Sequence, residues 1–238
     1  MGSNPIPGAK FFTQYTGITF WVKLNLKDFD VEKARKIQRI FADKILFKDI
    51  DLEKIRYVGG VDVSYRKGYA VAAAVTMDYK TLKVFEVKKV KVKDRFPYIP
   101  TLLSFREAPP VFKVVRMLNY PPDVLIVEGH GVSHPYGCGL ASHIGVVLKM
   151  PTIGVAKNLL CGKLGEYKGN KAPIFFNGKI VGMAVITKPK TKPVYVSVGN
   201  MITLDKAVKI VEKCIKNSKI PEPIRIAHLL TKSVKEKI

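Results

Sequence analysis

A chain of 238 residues, 47% of them hydrophobic, can bury one substantial core, and no composition break divides it, so 1–238 is read as a single domain. Its 41 Lys and Arg against 19 Asp and Glu leave a formal charge of +22, for which a polyanionic partner, nucleic acid first, is the simplest physical account. No apolar run approaches the roughly 20 residues of a membrane span, the start lacks a secretory apolar stretch, and the scattered Cys138, Cys161 and Cys214 fit neither a disulfide framework nor a zinc knot. A cytoplasmic protein with reduced thiols is expected, and the opening MGSNPIPG is read as including an expression remnant.

In chain order, residues 30–47 place Val31, Ala34, Ile37, Ile40 and Phe41 at helical spacing between basic residues, predicting an amphipathic helix. Residues 57–65 and 69–77 are short, rich in Val and Ala and separated by Arg66-Lys67-Gly68, the pattern of a hairpin of central strands. Residues 84–92 alternate apolar positions with Lys88, Lys89 and Lys91, as a strand with one wet face near an edge does. A helical stretch follows from about Pro100 through Met117, then a short apolar strand, 123–128, that ends in glycines. Residues 140–148 read as a buried helix, 152–156 as a strand, 181–186 and 194–198 as a late strand pair, and 204–214 and 224–235 as closing helices. The order predicts an α/β protein with a mixed sheet flanked by helices.

Three carboxylates interrupt this apolar pattern. Asp62 lies inside an apolar strand, where an unpaired charge is expensive. Glu128 ends the strand before Gly129-His130-Gly131, and strand C-termini in open sheets collect ligands. Glu107 sits among Pro and aromatic residues that suggest a shaped surface rather than a plain helix. If the three converge, hard divalent cations such as magnesium or manganese would relieve their repulsion and suit phosphodiester chemistry. Competing patterns are weaker: Gly131 and Pro135 spoil a helical metal pair of His130 and His134, 137–142 lacks the last glycine of a dinucleotide loop, and no G-x-S-x-G supports a serine hydrolase.

The segments GGVDVSY (59–65), PYIPTLLSFREAP (97–109), VEGHGVSHPYGCGLASHIG (127–145), PTIGVAKNLL (151–160) and PEPIRIAH (221–228) together resemble the endonuclease V family. The resemblance implies a ribonuclease H-like fold, a magnesium-dependent nuclease in which manganese can substitute, and cleavage of DNA at the second phosphodiester 3′ to a deoxyinosine. Inosine-containing RNA is an alternative substrate, the 2′-hydroxyl distinguishing the two, and a basic binding protein that cuts weakly is the alternative function. A monomer suffices for a single-strand nick. By resemblance Asp62, Glu107, Glu128 and His228 hold the metal, with Glu128 replacing the family's usual Asp and reaching one C–C bond further. Pro97, Tyr98, Ile99 and Pro100 resemble the family's strand-separating wedge, with Leu103 as an apolar wall and Thr101 where the family often has glycine. Gly129, Gly131 and Gly139 are expected to approach a flat base and offer it N–H groups, His134 to support catalysis and Lys157 to contact phosphate.

Overall fold

In the computed structural model, which describes residues 30–233, the β-branched and aromatic run Tyr57–Arg66 forms β1 and Tyr69–Asp78 forms β2. They pair antiparallel through a two-residue turn in which Lys67 and Gly68 both take positive φ, 47° and 76°, the twist-matched hairpin geometry. Val84–Lys93, β3, pairs with β2 and lies at the sheet edge, as its alternation predicts. Val124–Glu128 (β4) then runs parallel to β1, and Thr152–Ala156 (β5) parallel to β4. The rest of the sheet is antiparallel: Lys163–Leu164 (β6), Lys171–Phe176 (β7), Lys179–Val185 (β8) and Val194–Asn200 (β9), giving the order 3-2-1-4-5-9-8-7-6. The mixed, helix-flanked sheet agrees with the ribonuclease H-like expectation.

β6 and β7 fall in a stretch to which the sequence pattern assigns no element. Pro173 removes a ladder donor from β7, Gly162 and Gly169 punctuate its approach, and β6 has only two residues; pairing along the neighbouring β8 supplies the order that local pattern does not.

The helices are Val31–Ala42 (α1), Leu103–Val115 (α2), Leu140–Leu148 (α3), Leu204–Lys213 (α4) and Glu222–Lys232 (α5). α1 stops short of the predicted Phe47 because tertiary bonds take over its continuation: Leu46 N–H donates to Asn200 Oδ1 (3.0 Å) and Leu46 C=O accepts from Met201 N–H (2.6 Å). Glu107 lies on α2 itself, two residues before Pro109 and Pro110, so the expected irregular surface around it is replaced by a helix that accommodates both prolines.

Residues 31–233 form one compact unit with two apolar layers. Val58, Ile126, Ile153 and Val196 meet α4 and α5 on one face, while Val61, Leu125 and Val127 meet α2 and α3 on the other. No helix among the described residues is long and apolar enough to cross a membrane. The expected expression remnant lies outside the described residues.

Candidate active site

Strand parity places the first two carboxylates. Side chains alternate faces along a strand; Val58, Val124 and Ile126 face α4 and α5, so Asp62 and Glu128, of the same parity, share that face. β1 and β4 run in parallel register through Val61 opposite Val127, which makes Asp62 and Glu128 the next pair in line. α5 then brings His228 over them. Gly60 makes this approach possible, since a Cβ there would lie 2.2 Å from the Pro223 backbone. Ile224 and Ala227 anchor α5 in the core, and the positions one step around the helix, His228 and Thr231, face Asp62. His228 Nδ1 and Thr231 Oγ1 each lie 3.0 Å from Asp62 Oδ2.

Ligand-type atoms of Asp62, Glu128 and His228 all fall within 4.8 Å of one another. Glu107 stands beside this group rather than in it. Burial, then the charges of Asp62 and Glu128, push its carboxyl up to about 8. Asp62 is also held above its usual range, chiefly by burial and then by Glu128, against the lowering effect of its bonds to Thr231 and His228. Glu128 Oε1 pairs with the Lys157 ammonium, while its Oε2 is buried with no hydrogen-bond partner. A buried, orphaned carboxylate oxygen beside two carboxyls held above their usual range is the donor set a hard divalent cation fits: two carboxylates and an imidazole within one ion's reach, with a third carboxyl adjacent.

The recognition candidates occupy two loops. Pro97, Tyr98, Ile99 and Pro100 link β3 to α2, and Tyr98 is 64% exposed. Thr101 takes φ +66°, a conformation that costs a β-branched residue and suits glycine, which gives the departure at this position a physical cost. Leu103 opens α2 and is half-buried.

The glycines of the second loop differ from expectation. Gly129 N–H donates to Val155 C=O (3.1 Å), Gly131 N–H to Ser197 Oγ (2.9 Å) and Gly139 N–H to Gly131 C=O (2.9 Å), so the expected N–H groups are engaged within the protein rather than free for a base edge. Gly131 is required by packing, because a Cβ would lie 1.9 Å from Val198 O. Gly131 ties the loop to β9 and Gly129 ties it to β5, long-range contacts invisible in the local pattern.

His134 does not join the acidic group. It is 4% exposed, its Nδ1 accepts from Tyr136 N–H (3.2 Å), a backbone hydrogen bond ties it to Thr101, and burial, followed by His130, pulls its pKa down to about 4. It lies on the second loop and bonds to the first at Thr101.

Sequence reasoning missed Thr231, although its spacing of three from His228 on a predicted helix could have revealed it. It also missed the Arg106 to Asp94 ion pair (2.6 Å), which fixes the base of the Tyr98 loop while the Arg106 guanidinium lies 3.8 Å from the Tyr65 ring centroid. No local signal announces that pair.

The endonuclease V family model matches residues 39–229. The chain is 44% identical over 204 residues to an endonuclease V of Thermofilum pendens, covering 85% of this chain and 88% of that one. An endonuclease V of Dictyoglomus turgidum is 42% identical over 204 residues, covering 84% and 89%. Among solved structures, an endonuclease V from Streptomyces avermitilis superposes with a TM-score of 0.80 at 36% identity, over 85% of this chain and 92% of that one. A variant of Ciona intestinalis endonuclease V in complex with a 23mer DNA containing an inosine followed by a ribo-adenosine gives 0.78 at 34% identity, over 85% and 95%.

Proposed function

The chain belongs to the endonuclease V family, and from that premise we propose that it is a metal-dependent endonuclease that recognises deoxyinosine in DNA and hydrolyses the second phosphodiester 3′ to it, leaving a 3′-hydroxyl and a 5′-phosphate. The observation that carries this reading is the cluster of Asp62, Glu128 and His228 with Glu107 beside it. These four residues would hold magnesium, or manganese in its place, and the bound metal would supply Lewis-acid activation for phosphodiester hydrolysis.

The chain's own groups supply the rest. Thr231 and His228 orient the Asp62 carboxylate. Lys157, paired with Glu128 and 43% exposed, keeps positive charge at the rim where a phosphate would approach. Tyr98 fills the space left when a base leaves the duplex, and the packed 129–139 loop forms a wall of the pocket that receives it, with Leu103 on the opposite side. His134 acts by setting the distance between these loops rather than by proton transfer, since burial keeps its imidazole neutral near pH 7. A monomer in a cytoplasmic setting is sufficient for this chemistry.

The test is cleavage of matched end-labelled DNA and RNA strands, with and without one inosine, in magnesium, manganese and EDTA, with Asp62→Ala as control. Metal-dependent nicking one nucleotide beyond inosine, lost in Asp62→Ala, is expected. Preferential cutting of the RNA strand would move the substrate to inosine in RNA. Salt-sensitive binding without cutting in either metal would overturn the nuclease reading in favour of a basic binding protein whose longer Glu128, tied to Lys157, holds the site out of register.

A further inference from the structure

Resting on the wedge and pocket reading above, we propose that Gln38 of α1 is a positioning residue that sets the separation of the Tyr98 loop (97–101) from the glycine loop (129–139). Gln38 is 1% exposed, and a buried amide must spend its hydrogen bonds inside the protein. Its Nε2 donates to Thr101 C=O (2.8 Å) and to Cys138 C=O (3.2 Å). One NH2 group therefore uses both protons on carbonyls from loops 37 residues apart in the chain. Its Oε1 accepts from Arg35 Nη1 (3.2 Å), so the side chain itself is held in place.

Arg35 repeats the pattern one turn earlier. Its Nη2 donates to Pro100 C=O (3.4 Å), and its guanidinium lies 4.2 Å from the ring centroid of Tyr136 in the glycine loop. α1 thus touches each loop twice, at Pro100 and Thr101 on one side and at Tyr136 and Cys138 on the other. The bond to Thr101 falls on the residue at φ +66°, a strained conformation that persists only where surrounding contacts over-determine it. Both Gln38 and Arg35 precede the stretch matched by the family model, 39–229.

The consequence is geometric. An aromatic wedge and a base pocket work together only if the ring occupies the stack while the base enters the pocket, and a displacement of about 1 Å can cost on the order of a hundredfold in rate. The Tyr98 loop, exposed at its tip, takes its position relative to the pocket from Gln38 and Arg35 together with the bond from His134 to the Thr101 backbone, with Asp94 and Arg106 fixing its other end.

The experiment compares wild type, Gln38→Glu, which turns the donor towards two carbonyls into an acceptor at nearly the same volume, and Gln38→Met, which fills the space without donors. Single-turnover cleavage is measured on inosine in a duplex and in a single strand, where no partner strand must be displaced, and the Gln38 variants are repeated in a Tyr98→Ala background. Duplex cleavage is expected to fall by about tenfold or more and single-strand cleavage by much less, with the difference vanishing when Tyr98 is absent. Equal losses on both substrates, or effects that add in the double variant, overturn the proposal and leave Gln38 as fold support.

Hydrogen exchange separates a failure here from a failure of the nuclease reading. If wild type cuts neither substrate, the nuclease reading falls, and amide exchange of residues 98–102 and 131–139 in Gln38→Met decides alone. Faster exchange in both loops together, with α4 unchanged, upholds the coupling of the loops. Unchanged exchange in either loop overturns it.

Discussion

Asp62 and Glu128 stand on neighbouring parallel strands inside the sheet, whereas Tyr98 and Thr101 stand on a loop that projects from it, and the two regions are held by different physics. The carboxylates owe their places to strand parity and register, repeated over several residue pairs and buried on both faces. The loop owes its place to a few polar contacts, with Gln38 and Arg35 of α1, Arg106 of α2 and His134 of the glycine loop. The carboxylate side is consequently held by a continuous ladder and electrostatically crowded, and the loop side is held by a few side-chain bonds and locally strained at Thr101.

Four variants break or sharpen this contrast. The largest effect belongs to the strand side: Asp62→Ala removes the carboxylate on which His228 and Thr231 converge, and metal-dependent cleavage should fall by at least about a hundredfold while the affinity for inosine-containing DNA in EDTA holds. Isothermal titration with manganese should show a parallel loss of metal binding; retained metal affinity would remove Asp62 from the ligand set.

Glu128→Asp tests how finely that side is tuned. Shortening the side chain withdraws Oε1 from Lys157 and moves the carboxylate back by one C–C bond. The ratio of magnesium- to manganese-supported rates should change by about tenfold, because magnesium tolerates little departure from octahedral geometry. An unchanged ratio and rate would show that the extra methylene is accommodated elsewhere.

Acid should loosen the recognition side. His143 of α3 is packed among Phe41 of α1 and Phe105 and Phe112 of α2, the helices that carry the loop contacts, and burial holds its pKa down to about 4. Its native form is neutral, and the unfolded chain takes up a proton below 6.5. Stability is therefore full above about 6.5, falls as the pH drops towards 4 at about 1.4 kcal/mol per unit, and levels off below. Glu107 acts with the opposite sign: raised to about 8, it stays protonated in the native state where the unfolded chain ionises, so it lowers stability as the pH rises from 4.5 to 8. Urea unfolding in EDTA at pH 7, 6 and 5, compared between wild type and His143→Leu, isolates the histidine. The variant should show the smaller loss on acidification, and identical slopes would rule His143 out.

The smallest expected effect is a gain. Thr101→Gly relieves the positive φ at the end of the Tyr98 loop and should stabilise the fold by up to about 1 kcal/mol, part of it offset by the added freedom of the unfolded chain. The midpoint of thermal unfolding should rise by about 2–4 °C. A fall would mean that Thr101 contributes contacts worth more than the strain.

Much of the strand side was legible in advance. Short apolar runs located β1, β2, β4 and β5 and period-two alternation located β3, all within a residue or two, while a charge inside one apolar strand and another at the end of a second flagged Asp62 and Glu128. His228 came through the resemblance, and Thr231 could have come from helical spacing. The loop side was legible only as residue types. Tyr98 between prolines announced a projecting turn, but nothing local showed that Gln38, sixty residues earlier, holds it, or that the glycine N–H groups turn inward to β5, β9 and their own loop.

By itself, then, the sequence determined the order and type of most elements, the carboxylates carried by two apolar strands, and the excess positive charge, because these follow from covalent periodicity and composition. Tertiary structure decided the reach of α1, the strands around Pro173, the pairing of Lys157 with Glu128, and the clamp from Gln38 to two loops. Each of these is a contact between residues far apart in the chain, and its geometry arises only after the sheet and its helices have packed.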